Sequence, residues 1–441
     1  MGAQATTESI AQMLHPLVDP TAMQPWQQLE ASQQDQFRRS VTPDTEVAMR
    51  VTPASQSELA AVMTCLHQQR WPSLVMGRGS KLDWGGLVHS QQPIVAVSTA
   101  GLHRLIEHAV GDLTVTVEAG MPLAQLQERL ATAGQWLPID PAFPAQATIG
   151  GIVATADTGS LRQRYNSVRD LLLGVTLVRS DGQVAKAGGR VVKNVAGYDL
   201  MKLLTGAYGT LGILSQVTFR VYPLPETSQT IVLMGQAGAI APAVQTLLSS
   251  ALTPSRVDLL SAAVMQALDL GSSLGVLVQF QGIPPSVQEQ ASRLIEVGQA
   301  LGLTSCAVED DAALWQRLSE RMTATVSETT VTCKIGIRAT EAVNLLTLIA
   351  TLAPEAGVQV HAGSGLGRWC LTAGDADTLA KIRQFCQIRQ GFLSIQSAPI
   401  GLKQAIDVWG YEGNALDLMR RIKQKFDPEM LLNPCRFVGG I

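Results

Sequence analysis

The sequence predicts an α+β protein with two main units: an α/β ligand-binding unit over 45–225 and a second unit over 226–405 built on an antiparallel sheet. Three observations carry this. Over 45–225, short apolar runs alternate with amphipathic stretches of helical period. Within them, Pro138 to Ile213 interleaves glycines with short apolar runs of β type. From 226 onward, strand and helix patterns alternate at lengths that suit an antiparallel sheet with helices on one face. A chain of 441 residues can bury a core in each unit.

Taken in order, residues 1–44 form a polar, Gln-rich helical extension, in which WQQLEASQQDQFRR reads as a surface helix anchored by Trp26, Leu29 and Phe37. VAMRV is a strand, and Pro53 and Ser57 mark the start of the amphipathic helix that follows. SLVM is a strand that runs into the loop Gly77-Arg78-Gly79-Ser80-Lys81. PIVAVST and LTVTVEAG are strands, and MPLAQLQERLATAG is a helix closed by Gly134. LLGVTLVRSDGQVAKAG is a hairpin turning at Asp181-Gly182. Helix GYDLMKLLTGA and strand ILSQVTFRVYPLP close the first unit near Pro225.

In the second unit TIVLMGQ, LGVLVQFQG and VTCKIGIR are strands, and VQVHAGSGLGRWCLTA is a strand pair around a Gly-rich turn. APAVQTLLSSAL, SAAVMQALD, PPSVQEQASRLIEVGQALG and TEAVNLLTLIATLA are helices. Residues 406–441 hold an amphipathic helix, ALDLMRRIKQKF, stopped by Pro428 and Pro434.

Composition narrows the function classes. The formal net charge is −3, and aromatic residues make up only 5% of the chain, so neither a phosphate backbone nor stacked bases is an expected partner. The six cysteines, Cys65, Cys306, Cys333, Cys370, Cys386 and Cys435, form no CxxC pair, which argues against a zinc or iron–sulfur site and for reduced thiols in a cytosolic protein. No run of about eighteen apolar residues suggests a transmembrane helix.

The chemistry sits in the glycine-rich stretches. A strand leading into glycines, a hydroxyl and two cations is what a phosphate group needs. The loop at 77–81 lacks the GxxxxGK[ST] spacing of a Walker loop, and Leu82 stands where the dinucleotide fingerprint has its third glycine. Gly150-Gly151 follows Thr148-Ile149 and precedes small residues, an arrangement that lets a diphosphate or a flat ring approach the main chain. The plain alternative is a turn-rich α/β core without a ligand.

Five blocks taken together carry a resemblance: GRGSKLDWGG, DPAFPAQATIGGIVATADTG, RYNSVRDLLLG, GGRVVKNVAGYDLMKLLTGAYGTLGI and FDPEMLLNPCR. As a set they resemble the FAD-linked oxidases of the vanillyl-alcohol oxidase type, densely over 45–225, weakly over 226–405 and clearly again at the tail. Within that family the chain looks most similar to the E-type FAD-binding subunits of bacterial glycolate oxidases. The resemblance implies a PCMH-type FAD-binding domain of two α/β subdomains over 45–225, an α+β cap domain over 226–405, and a tail over 406–441 that returns to the FAD domain. By motif position Gly77, Arg78, Gly79, Ser80 and Lys81 would line the diphosphate, with Leu82 closing the loop. Ala147, Thr148, Gly150, Gly151, Thr155 and Gly159 would take the second side of the cofactor, and Ile213 would meet it from the GTLGI turn. Relatives end in an NPG-type motif; here Cys435 replaces that glycine.

The implied activity is oxidation of glycolate to glyoxylate within a multi-subunit complex, this chain serving a structural or electron-relay role. A second FAD-binding, catalytic subunit and an iron–sulfur subunit are the implied partners, and a small 2-hydroxy acid is the substrate. The implied location is cytoplasmic, with any membrane association made through partners. The competing reading is a self-contained FAD-dependent dehydrogenase of another 2-hydroxy acid such as D-lactate. Covalent relatives attach FAD through a His or Cys near the phosphate loop or in the cap; Gly77–Gly86 contains neither, so non-covalent FAD is expected.

No residue is assigned as catalytic. Arg190, Lys193 and Lys202 are cations that would stabilise a reduced flavin if they lay beside its ring, or are solvated loop charges. Tyr198 belongs either beside the ring or in the core, and Asp83 and Trp84 fix the phosphate loop. VHAGSGLGRW resembles the HAGDGNLH turn that catalytic relatives use near a divalent metal. Here Ser364, Leu366 and Arg368 stand where that turn has Asp, Asn and the second His. His361 alone cannot hold a metal, so none is expected. Arg368 either grips a carboxylate or pairs with a structural acid.

Overall fold

The computed structural model describes residues 6–189, 198–323, 329–372 and 374–441. The chain divides into two compact units. The first comprises Met1–Thr158, Ser167–Pro223 and Tyr411–Ile441; the second comprises Gly159–Asn166 and Leu224–Gly410.

The first unit holds two principal sheets. One has four strands, β1 (Met23–Pro25), β2 (Val47–Val51), β3 (Ser73–Met76) and β4 (Ile94–Ser98), in the order β1-β2-β4-β3. β4 pairs in parallel with both β2 and β3. Its five residues are all buried because both faces are covered. Val95 and Val97 pack with Leu59, Val62 and Leu66 of the helix Gln56–Gln69, while Ile94 and Ala96 pack with Phe37 and Leu82. The cap of that helix is Ser55, whose side chain accepts from Glu58 N at 3.2 Å, not Ser57 as the sequence suggests. The helix expected across 26–39 spans only Ala31–Arg38, after a single 3₁₀ turn at Trp26–Gln28.

The other sheet is antiparallel: β5 (Leu105–Ala109), β6 (Thr114–Glu118), β8 (Leu172–Val178), β9 (Val184–Gly188) and β10 (Ile213–Arg220), ordered β5-β6-β10-β8-β9. A two-stranded ribbon pairs β7 (Gln135–Trp136) with β11 (Tyr222–Pro223). β8 and β9 form the expected hairpin, with Gly182 at φ +84° in its turn. Val117, Val175, Leu177, Val217 and Phe219 of this sheet bury against the helices Leu123–Ala131 and Ile149–Thr155.

That last helix corrects the sequence reading. Ile149–Thr155, expected among β-type runs, is helical, and Thr148 caps it by accepting from Gly151 N at 3.3 Å. Gly150 lies against β6: a Cβ there would come within 2.8 Å of Ala119 Cβ, so only glycine lets the helix sit this close.

The second unit is built on eight antiparallel strands. They are β12 (Thr227–Gly235), β13 (Arg256–Leu260), β14 (Leu274–Gly282), β15 (Thr304–Val308), β16 (Val331–Gly336), β17 (Gly357–His361), β18 (Leu366–Leu371) and β19 (Phe392–Ser397), ordered β15-β12-β14-β13-β17-β18-β16-β19. One face buries Ile231, Leu233, Val276, Val278, Val358 and Val360 under four helices, Ala237–Ser249, Pro284–Ala300, Ala342–Leu352 and Ala376–Ile388. Helices are not confined to that face. Val232, Leu260 and Leu277, of opposite parity, pack against Ala262–Ala267 and Asp311–Met322. Strands buried on both faces lose their alternation, and this hid the second layer from the sequence.

Candidate functional site

The loop after β3 is held by its carbonyls. Ser98 Oγ donates to Gly77 O at 2.8 Å and Thr99 Oγ1 to Met76 O at 3.4 Å. Gly79 takes φ +87°, a left-handed conformation that glycine adopts without strain. With the carbonyls occupied, the main-chain N–H groups of Arg78, Gly79 and Ser80 meet no acceptor among the described residues. Gly77 brings the loop against the helix cap, since a Cβ there would come within 2.1 Å of Thr148 Oγ1.

The C-terminal tail completes the arrangement. Buried Lys423 donates to Asp427 Oδ2 at 2.7 Å and to the carbonyls of Thr210 and Leu432 at 2.8 Å each. Leu432 N returns to Asp427 Oδ2 at 2.8 Å. Burial lowers the Lys423 pKa, with the Asp427 carboxylate opposing it. So anchored, Asn433 joins β3 to the 208 turn, accepting from Val75 N at 2.8 Å and donating to Tyr208 O at 2.7 Å. Buried Arg436 then donates through Nη2 to the carbonyls of Leu82 and, at 3.1 Å, Trp84. Cys435, standing in for glycine, takes φ +67°, so the turn survives the substitution at the cost of left-handed strain.

These pieces enclose a cleft of about 830 Å³, counted out to its open mouth, within the size range of small-molecule and cofactor sites. Twelve of the thirteen residues singled out from the sequence line it: Gly77, Arg78, Gly79, Ser80, Lys81, Leu82, Ala147, Thr148, Gly150, Gly151, Thr155 and Ile213. Gly159 does not; it begins the segment that belongs to the second unit. Sequence reasoning missed Thr99, Tyr208, Gly212 and Arg436, which also line the cleft. The tail motif FDPEMLLNPCR was the available pointer to Arg436.

The lining is electrostatically one-sided. It holds Arg78, Lys81 and Arg436, and among the described lining residues there is no Asp or Glu. Lys81 is not a free charge, however. Its ammonium pairs with Asp157 Oδ2 at 2.6 Å, both side chains being buried, and lies 5.3 Å from the Trp84 ring centre. Asp157 also accepts from Ala142 N at 2.8 Å, so this pair ties the glycine loop to the end of the capped helix. Burial draws the Arg436 pKa down to about 10, leaving it charged at neutral pH, and burial pushes the Tyr208 phenol up.

Of the other residues weighed, Lys202 pairs with Asp199 at 2.7 Å on a half-exposed surface, which is the solvated-charge alternative. Tyr198 is 92% exposed and plugs no core. Arg190 and Lys193 lie outside the described residues. In the second unit, His361 closes β17 and places Nδ1 2.7 Å from Oδ1 of fully buried Asp258. The other Asp258 oxygen accepts from Gln359 Nε2 at 2.7 Å and from Ser160 Oγ. The cross-strand register of β13 and β17 puts Asp258 directly opposite His361, a pairing with no sequence signal.

Comparison with known proteins agrees with this geometry. Residues 47–188 match the FAD binding domain family. The chain is 24% identical to the glycolate oxidase subunit GlcD of Bacillus subtilis (strain 168), over 87% of each chain. It is 35% identical to the glycolate oxidase subunit GlcE of Escherichia coli (strain K12), over 42% of this chain and 51% of that one. It is 30% identical to a probable mitochondrial D-lactate dehydrogenase of Danio rerio, over 61% of this chain and 55% of that one. The chain thus spans about half the length of the last two relatives. Among solved structures, p-cresol methylhydroxylase with substrate bound superposes with a TM-score of 0.74 at 15% identity, over 97% of this chain and 96% of that one, which speaks to the fold. These findings support a PCMH-type FAD-binding fold for the first unit. The curated relatives the chain matches thus include glycolate oxidase subunits and a probable D-lactate dehydrogenase alike. The cleft fits such a cofactor: glycines where a side chain would intrude, exposed loop N–H groups, and cations without lining carboxylates.

Proposed function

We propose that this chain is the FAD-binding subunit of a multi-subunit glycolate oxidase, holding FAD non-covalently in the cleft of its first unit. The observation that carries this is the acid-free, glycine-lined cleft with Arg78 and Arg436 on its wall. Bound there, FAD would supply a two-electron acceptor for conversion of an alcohol to a carbonyl. The chain's own residues bind and orient. The N–H groups of Arg78, Gly79 and Ser80 meet the diphosphate; Thr148, Gly150 and Gly151 bring the capped helix against it; Ile213 and Ala147 supply apolar wall.

The chain's role is relay or structural. Ser364, Leu366 and Arg368 replace the residues that would hold a metal at the His361 turn, so substrate oxidation falls to a second flavoprotein subunit. With six cysteines scattered singly, onward electron transfer falls to an iron–sulfur partner. The complex works in the cytoplasm and meets the membrane, if at all, through partners; no helix among the described residues is long and apolar enough to cross one.

Acid precipitation of purified protein should release all yellow colour into the supernatant, and colour in the pellet would contradict non-covalent binding. The lone FAD-loaded chain should not turn over glycolate with an artificial acceptor, whereas the reconstituted complex should.

One observation favours a second reading, a self-contained dehydrogenase of a 2-hydroxy acid such as D-lactate. His361 held at 2.7 Å by buried Asp258 has the form of an oriented proton acceptor. Flavin reduction by D-lactate in the lone chain, abolished by His361→Ala with FAD content intact, would select that reading.

A further inference from the structure

We infer that β15, an edge of the eight-stranded sheet, docks a second copy of this chain, strand against strand, antiparallel about a two-fold axis at Cys306. Sheet edges in natural proteins are protected by charge, proline, bulges, short length or covering chain. The other edges of the three larger sheets are protected in these ways. β1 has three residues and ends in Pro25. Along β3, Ser73 N donates to Leu431 O at 2.7 Å and Ser73 O accepts from Asn433 N at 2.9 Å. β5 carries Glu107 and His108 and a register shift against β6. β9 carries Lys186, and Ile395 N of β19 donates to Val408 O at 2.7 Å. β15, Thr304-Ser305-Cys306-Ala307-Val308, has no charge, no proline and an unbroken register with β12. Beyond that pairing, its main-chain N–H and C=O groups meet no partner among the described residues.

The flanking helices leave the edge open because they seat on β12. On one face, a Cβ at Gly298 would come within 2.8 Å of Leu233 Cδ2; on the other, Trp315 Nε1 donates to Thr230 Oγ1 at 2.9 Å. Thr304, Cys306 and Ala307 are exposed. The charge pattern selects the occupant. Glu309, Asp310 and Asp311 follow β15 directly. In an antiparallel pairing centred on Cys306, Thr304 faces Val308 of the second copy, while Glu309 and Asp310 face its uncharged Leu303 and Gly302. The two acidic runs then lie at opposite ends, whereas parallel docking would set acid on acid. The uncharged strand is thus complementary to itself, which is the contact a two-fold dimer needs. One strand pair buries less than the roughly 1,200 Å² of a stable interface, so the dimer dissociates on dilution.

The test uses the full chain. Sedimentation velocity over a dilution series should show a reversible monomer–dimer equilibrium. Oxidation by copper–phenanthroline should link the dimer through Cys306 of both copies, because paired Cα atoms about 4.5–5.5 Å apart lie within disulfide reach. Cys435→Ser should leave that link intact and Cys306→Ser should abolish it. Cys306→Lys, at an exposed position, sets like charges directly opposite each other and should weaken the dimer about threefold or more. The amides of 304–308 should exchange more slowly in concentrated than in dilute protein. A monomer at every concentration would overturn the inference, as would a dimer linked through Cys435 or unweakened by Cys306→Lys. Amides protected only when a different chain is bound would also overturn it, giving the edge to a foreign strand. If circular dichroism shows that Cys306→Lys does not fold, the wild-type cross-link and exchange decide.

Discussion

Replacing Gly151 by valine should leave the fold intact and remove the flavin. Gly151 is the third residue of the helix that Thr148 caps, and it lines the cleft. A Cβ built there meets only Thr148 Oγ1, at 3.1 Å, so the protein accommodates it with a shift of a few tenths of an ångström. The rest of a valine side chain extends into space the cofactor would occupy. Its neighbour Gly150 is the opposite case, because a Cβ there would lie 2.8 Å from Ala119 Cβ and 3.0 Å from Ala119 O. Alanine at 151 removes a helical glycine and should stabilise the flavin-free chain by up to about 1 kcal/mol. For a unit of this size that is a rise of roughly 2–4 °C in melting temperature. Alanine at 150 should instead overpack the helix against β6 and cost ~1–3 kcal/mol. The same chemical change at adjacent positions thus moves stability in opposite directions, and only the 151 change strikes the ligand directly. Thermal melts of the flavin-free variants give the first quantity, and the ratio of flavin absorbance to protein gives the second. Wild-type flavin content in Gly151→Val, or similar melting shifts for the two alanine variants, would refute the reasoning.

Three further outcomes are expected. Lys423→Met should cost ~3–5 kcal/mol in chemical denaturation, because it strands the buried Asp427 carboxylate; the double change Lys423→Met with Asp427→Leu should recover much of it, and equal losses would count against an ion-pair lock. Of the six thiols, Cys306 and Cys435 are exposed and should react with a disulfide reagent in the native protein before the others. Burial pushes the Cys370 thiol up to about 11 and Cys386 up to about 12, and raises Cys333 further still, so these should react only after denaturation; early labelling of any of them by mass spectrometry would contradict the packing. Cys435→Gly should raise the melting temperature slightly, the relief of left-handed strain at φ +67° exceeding glycine's extra chain entropy; a lower melting temperature would show that the Cys435 side chain contributes contacts.

The sequence by itself determined the features that depend on local chemistry. The glycine loop at 77–81, the hairpin at Asp181-Gly182, the Gly150-Gly151 pair and the tail helix stopped by Pro428 all follow from which φ values, turns and periods their residues permit. Where local preference and packing disagreed, packing won. Ile149–Thr155 carries β-branched residues yet is helical, because the Thr148 cap and the absence of a side chain at Gly150 let it seat against Ala119. Strands β13, β15 and β19 and the helices Asp311–Met322 and Ala376–Ile388 left no distinct signal, since β-sheet position is decided by pairing partners far away in the chain.

The functional partnerships lay furthest beyond the sequence. The pairing of Lys81 with Asp157 joins residues 76 positions apart, and Arg436 lies against Leu82, more than 350 positions earlier. Asp258 gains meaning only when β13 pairs with β17 and sets it opposite His361. Gly159 belongs to a glycine-rich motif in sequence, yet the chain has already crossed to the second unit at that point. Residue type states what charge and hydrogen bonds a side chain can offer. Burial then forces each offer to be met by whichever group the fold brings within reach, and that meeting is settled only in three dimensions.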